Sequence, residues 1–322
     1  MTTEPPPSRP ATGAHRAERD RPVDPGLPTD QASSATRATA PGLGRLLAAM
    51  GPTPALLTGL GALVCLAAGQ MLGAGLVAAL GGSRVPTGLG VVLSFAGVWV
   101  AVWVWLRFVE RRSVLSVGLW RPAWGGLARG AAIAVGLLGV VTAVLVAGGR
   151  ASVSWAGAGP AGIGLVALAL LVFVVQGGAE EITLRGMVLP AVARRWGVLA
   201  GLLVQAALFG VLHLGNPGAN PLAAVNVAGF GLLLGLLVVV RGDLWAALGF
   251  HAVWNWAEGL VLGYDISGLR VGTPLWQVSS HGDDLLTGGS FGPEGSLVTT
   301  LALILVLAVL AIRVWRTRRA HD

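Results

Sequence analysis

The sequence predicts an all-α fold, a polytopic membrane helical bundle of about eight transmembrane helices. Of 322 residues, 54% are hydrophobic and only 11% are charged, far fewer charges than a soluble domain carries. Apolar stretches recur at lengths near the ~20 residues that cross a bilayer. The arginines between them fall mostly on alternate connections, as the positive-inside rule requires.

Residues 1–42 are rich in Pro, Thr, Ala, Arg and Asp and show no apolar periodicity. They read as a disordered cytoplasmic tail. No apolar core follows closely on a short basic start, so the tail does not read as a signal peptide. The transmembrane bundle is expected over 43–320. Its spans are 54–80, 87–106 and 125–149, then a fourth that begins near 161 and runs into an acidic pair. The fifth, sixth and seventh are 198–213, 221–240 and 244–263, and the short last span is 297–312. A polar stretch, 264–296, separates the last two and carries Asp265, Arg270, His281, Asp283, Asp284 and Glu294.

Eight spans put both termini on one side. Twelve arginines flank that side: Arg107, Arg111, Arg112, Arg121, Arg129, Arg194, Arg195, Arg241, Arg313, Arg316, Arg318 and Arg319. Only three, Arg84, Arg150 and Arg270, fall on the other. The split puts both termini in the cytoplasm of a cell-membrane protein. The net charge of +7 therefore reports topology. A nucleic-acid surface would need its arginines gathered in one patch, and they are not. The single cysteine, Cys65, rules out an intrachain disulfide and a thiolate metal cage. Many glycines and alanines lie in the spans, where small residues let helices approach closely. No clear internal repeat suggests a transporter with inverted halves.

Ionisable groups inside spans are costly and point to function. The set here is Glu180, Glu181, Arg185, His213, His251 and Glu258, with the amides Gln176, Gln205, Asn226 and Asn255. In AEEITLR, Glu181 and Arg185 are i,i+4 in the favourable order, so Arg185 can neutralise Glu181. Glu180 points about 100° away and has no cation in its own helix. A carboxylate so placed suits proton transfer. From this motif alone, a helix end with three snorkelling side chains is an equal reading. His213 closes the fifth span four residues after Phe209, and His251 and Asn255 are i,i+4 in the seventh. Alone, His213 reads more readily as a hydrogen-bonded packing residue, and the His251–Asn255 pair is open to either reading.

Taken together they say more. Glu180 and His213 lie at about equal distance on either side of the turn expected at 194–197, hence at similar depth in an antiparallel hairpin. His251, counted from Asp243, matches that depth less well, and Pro190 is a place where the hairpin's first arm can kink or shorten. A Glu, two His and an Asn in a dry core can activate a water, with a metal or without one. Glu258 extends the His251–Asn255 stripe by one turn. It reads as an interfacial glutamate near the outer surface beside Tyr264, outside the catalytic set.

Three motifs on successive helices carry a resemblance: Glu180-Glu181-Ile-Thr-Leu-Arg185, Phe209-Gly-Val-Leu-His213 and His251-Ala-Val-Trp-Asn255. They resemble the CAAX prenyl protease type II and bacteriocin-processing family of intramembrane proteases, over about 165–262. The resemblance implies a helical bundle with a cavity open to the cytosol and a protease-like core at about 161–263. It implies an intramembrane endopeptidase in which Glu180 activates water. His213 and His251 would be water or metal ligands, and Asn255 the stabiliser of the tetrahedral intermediate. Glu181 and Arg185 would form the structural pair. It leaves open a divalent metal such as zinc, hence a metalloprotease, against a metal-free glutamate protease. The partners implied are membrane lipid and a peptide or protein substrate. The alternative is a non-catalytic membrane immunity or scaffold protein that keeps the polar cluster for folding.

The arginine count makes one testable statement about topology. Cysteines placed at Ser279 and Thr317 should label from opposite sides of the membrane, with Thr317 cytoplasmic. Labelling of both from one side would overturn the eight-span order.

Overall fold

The computed structural model describes residues 1–2, 41–120 and 123–319. Most of the tail expected over 1–42 lies outside the described residues, as does Arg121. The described chain is a helical membrane bundle. A short helix α1 (Pro41–Ala48) precedes α2 (Ala55–Ala79) and α3 (Thr87–Val104). Next come α4 (Trp124–Ala147), strand β1 (Ala151–Trp155) and α5 (Pro160–Thr183). After α5 the chain continues as α6 (Leu189–Trp196), α7 (Val198–Leu212), α8 (Pro221–Arg241) and α9 (Trp245–Trp256). Strand β2 (Trp276–Ser280), a single turn α10 (Asp284–Thr287) and α11 (Leu297–Arg319) complete it.

Every expected span lies on a helix. Among the described residues, five helices are long and apolar enough to cross a membrane: Ala55–Ala79, Thr87–Val109, Trp124–Ala147, Pro160–Trp196 and Pro221–Arg241. Val198–Leu212 and Leu297–Ile312 are shorter apolar helices. The seventh expected span is α9, extended by a wide turn to Val261.

Three π-turns widen helices, at Trp105–Val109, Leu184–Val188 and Ala257–Val261. The second joins α5 to α6, so Pro160–Trp196 runs as one helix. Pro190 lacks the N–H that would bond back into this turn. The kink expected there takes the form of the widened turn just before it.

The first half of α5 is largely exposed, with Leu165, Leu168 and Leu171 facing outward. From Gly177 to Ala193 every residue is buried. A helix buried on all sides sits at the centre of a bundle. Two indoles fix it there. Trp99 of α3 donates to the Val175 carbonyl at 3.0 Å, and Trp256 of α9 donates to the Val166 carbonyl at 2.7 Å. The amides Gln205 and Asn226 also bind helices together. Gln205 of α7 donates to Gly231 of α8 at 2.9 Å. Asn226 of α8 accepts from Thr300 of α11 at 2.7 Å.

The stretch 264–296 is more than a polar loop. Part of it forms β2, which pairs antiparallel with β1 from Ala151↔Ser280 to Trp155↔Trp276. Its last turns fold against the bundle, and residues 291–296 are buried there.

Close approach of helix backbones depends on small residues, most sharply between α4 and α9. A methyl group on Gly130 would overlap the Ala246 carbonyl. Gly136, on the same helix, faces open space. Gly130→Ala should lower the melting temperature in detergent, at a cost of about 1–3 kcal/mol. Gly136→Ala should leave it unchanged or raise it.

Candidate active site

The site is assembled from α5, α7 and α9. Two adjacent residues of α5, Glu180 and Glu181, have different surroundings. Glu181 is fully buried, and its Oε1 lies 3.0 Å from Arg185 Nη1 and 2.8 Å from His251 Nδ1. Arg185 is also fully buried, and its guanidinium carbon stands 4.4 Å over the Phe209 ring. A cation so placed gains from the ring's quadrupole as well as from its carboxylate.

Glu180 is held by neutral groups. Its Oε1 accepts from Gln176 Nε2 at 2.6 Å. Gln176 in turn accepts from Asn255 Nδ2 at 2.9 Å. Glu180 Oε2 has no hydrogen-bond partner among the described residues and lies 3.7 Å from His251 Nε2. Sequence spacing alone missed Gln176, although it lies one turn before Glu180 and was among the in-span amides.

Both histidine tautomers follow from their acceptors. His213 Nδ1 lies 2.8 Å from the Phe209 carbonyl, and His251 Nδ1 lies 2.8 Å from a carboxylate oxygen. Neither acceptor has a proton to give, so each Nδ1 carries the hydrogen and each Nε2 is left for other work. Phe209 stands between the two rings, with centroids 4.7 Å from His213 and 5.8 Å from His251. The depth count that favoured His213 over His251 misjudged His251. Gly177 leaves room for its ring, since a Cβ there would sit 3.1 Å from His251 Cγ.

Glu180, Gln176, His213, Asn216, Asn255 and Ser267 line one side of a cavity of about 360 Å³. The rest of its lining is mostly apolar, including Leu66, Phe95, Phe173, Leu212 and Leu260, with Gln70 and Thr87 among them. A cavity of this size and character suits an extended, largely apolar ligand with a few polar anchors.

Glu258 does not occupy the interface expected for it. It is fully buried in the π-turn after α9, and neither carboxylate oxygen has a hydrogen-bond partner among the described residues. The π-turn changes the helical register that the stripe argument assumed. Its link to Tyr264 is through the backbone, with Tyr264 N donating to the Glu258 carbonyl at 2.9 Å.

A catalytic zinc takes three protein ligands and a water. Among the described residues, no three His, Cys, Asp or Glu side chains converge closely enough to hold a metal ion.

Residues 162–257 match the family model of the type II CAAX prenyl endopeptidases, Rce1-like. The resemblance read from the three motifs is borne out over that segment. The chain is also 35% identical over 97 residues to the uncharacterized protein YyaK of Bacillus subtilis (strain 168). That similarity covers 29% of this chain and 32% of the relative, so the chain spans about a third of the relative it matches. No solved structure matches the chain.

The buried charges make a stability prediction. Glu181→Gln leaves Arg185 without its carboxylate in a sealed site. It should cost about 3–5 kcal/mol. Glu180→Gln keeps the bond from Gln176 and should cost far less. Thermal unfolding of the two purified variants in detergent checks the order.

Proposed function

We propose, from the similarity of residues 162–257 to the Rce1-like type II CAAX prenyl endopeptidases, that the protein is an intramembrane endopeptidase. Its substrate is a peptide or protein segment that enters the large cavity from the membrane or the cytoplasm. The arginine distribution supports a bundle with both termini in the cytoplasm.

The observation that carries the mechanism is the unpartnered Oε2 of Glu180, 3.7 Å from His251 Nε2 and at the cavity wall. Two atoms at that separation can both reach one water at a hydrogen-bond length of about 2.8 Å. Glu180 takes a proton from this water as its oxygen attacks the scissile carbonyl carbon. The two histidines orient the water. Asn255 has a second Nδ2 hydrogen besides the one given to Gln176, and it meets the developing oxyanion. When the intermediate collapses, the C–N bond breaks and Glu180 returns the proton to the leaving amine. Gln176 keeps Glu180 in one rotamer throughout. Glu181 and Arg185 hold His251 in the tautomer that leaves Nε2 facing Glu180.

Two measurements test this reading. Glu180→Gln should lower cleavage of a membrane-embedded peptide by about 100-fold or more, with the fold intact. Treating the wild-type protein with a zinc chelator should leave its rate unchanged. Full activity in Glu180→Gln would return the chain to the non-catalytic immunity or scaffold reading. Loss on chelation with recovery on added zinc would replace the metal-free route with a metalloprotease.

A further inference from the structure

Beside the large cavity lies a second, which Glu180 does not line. Its volume is about 20 Å³, and its polar lining is His213, His251, Asn255, Ser267, Glu294 and the Trp254 indole. That is room for one water, which needs about 10–15 Å³ and two to four polar partners. Phe209, His213, Asn255 and Ser267 line both cavities, so they form the partition between them.

Glu294 comes from outside the segment similar to the protease family, on the turn Pro293–Gly295 before α11. Its position is over-determined. Trp254 Nε1, from the residue next to Asn255, donates to Glu294 Oε1 at 2.9 Å. The Ser267 hydroxyl donates to Oε2. Asn226 Nδ2 donates to the Glu294 backbone carbonyl at 2.7 Å. Ser267 itself has φ 44°, a left-handed conformation that a non-glycine residue seldom adopts. The turn is clamped there, because Asn216 Nδ2 donates to the Ser267 carbonyl at 3.0 Å and Gly268 N donates to the Phe291 carbonyl at 2.9 Å. Backbone strain of this kind persists where the surroundings fix it, often at functional sites. An ionised carboxylate has about four acceptor positions, and the two donors use only two.

We propose that Glu294 is a positioning residue of the catalytic site. With Ser267 it holds a single water in the small cavity, and that water donates one hydrogen to the Glu294 carboxylate and the other to Asn255 Oδ1. The proposal rests on the endopeptidase reading for its kinetic consequence, and its geometric core stands apart from it. The water joins two acceptors that the described residues leave open. Asn255 Oδ1 has no partner among them, because Asn255 reaches Gln176 through Nδ2, and His213 Nε2 stays with the catalytic water. Without this support Asn255 would be fixed from one side only.

The test uses the full chain reconstituted in lipid vesicles with a cleavable peptide. Glu294→Gln should lower kcat by about 10-fold or more, with KM unchanged and the melting temperature close to wild type. Ser267→Ala should do the same more weakly. The double variant should be no worse than Glu294→Gln alone, because both act through one water. If Glu294→Gln does not fold, Ser267→Ala decides in its place. Wild-type kcat in the folded variant, or a fall accounted for by lost stability, overturns the proposal. A second readout needs no activity. The side-chain amide 15N resonance of Asn255 in detergent should shift in Glu294→Gln. If Glu180→Gln cleaves like wild type, the endopeptidase reading falls, and the Asn255 resonance alone then decides. An unchanged resonance overturns the positioning role.

Discussion

The arrangement depends on where one guanidinium goes. Arg185 lies in the fully buried stretch of the central helix, where an unpaired charge is not tolerated. Two groups answer it, the Glu181 carboxylate one turn back and the Phe209 ring from α7. Glu181 also binds His251 from α9. A single cation thus draws three helices to one point, and those three helices carry the three motifs. Neutralising Arg185 is a folding requirement, and meeting it puts both histidine rings around Phe209.

The same requirement separates two chemically identical neighbours. Glu181 is taken up by Arg185 and by His251 Nδ1. Glu180, about 100° further round the helix, meets an amide instead of a cation. Paired carboxylates acquire different roles when their environments differ, and here the environments differ in partner charge as well as in access to the cavity. The amide chain Asn255–Gln176–Glu180 fixes one oxygen of Glu180 and leaves the other free.

Much of this was legible in the sequence because lipid constrains it. A span must be apolar over a set length, so helix ends fall within a few residues of the apolar runs. Glu180, Glu181, Arg185, His213, His251 and Asn255 stand out because ionisable and amide groups are rare in such runs. The rest was set by contacts that leave no local period. A π-turn has no sequence signature, so the register of Glu258 was misjudged. The approach of His251 on α9 depends on the missing side chain of Gly177 on α5, far away in sequence. The β1–β2 ribbon pairs residues more than a hundred positions apart. Ser267 and Glu294 lie in a stretch that reads as polar loop, and only the fold turns it inward.

Chemistry and shape come from different parts of the chain. The segment similar to the endopeptidase family, 162–257, supplies every residue of the proposed reaction. The cavity beside them takes about half of its lining from outside that segment. Gln70, Val91 and Phe95 come from α2 and α3, and Ile266, Leu269 and Val271 from the stretch after α9. The partition residue Ser267 belongs to that later stretch as well, and its carboxylate partner comes from just before α11. A bundle built this way can keep one reaction while its flanking helices and loop change what fits. Among the described residues the walls are mostly apolar and carry no arginine, so they suit a ligand held by apolar contact and amide hydrogen bonds rather than by charge.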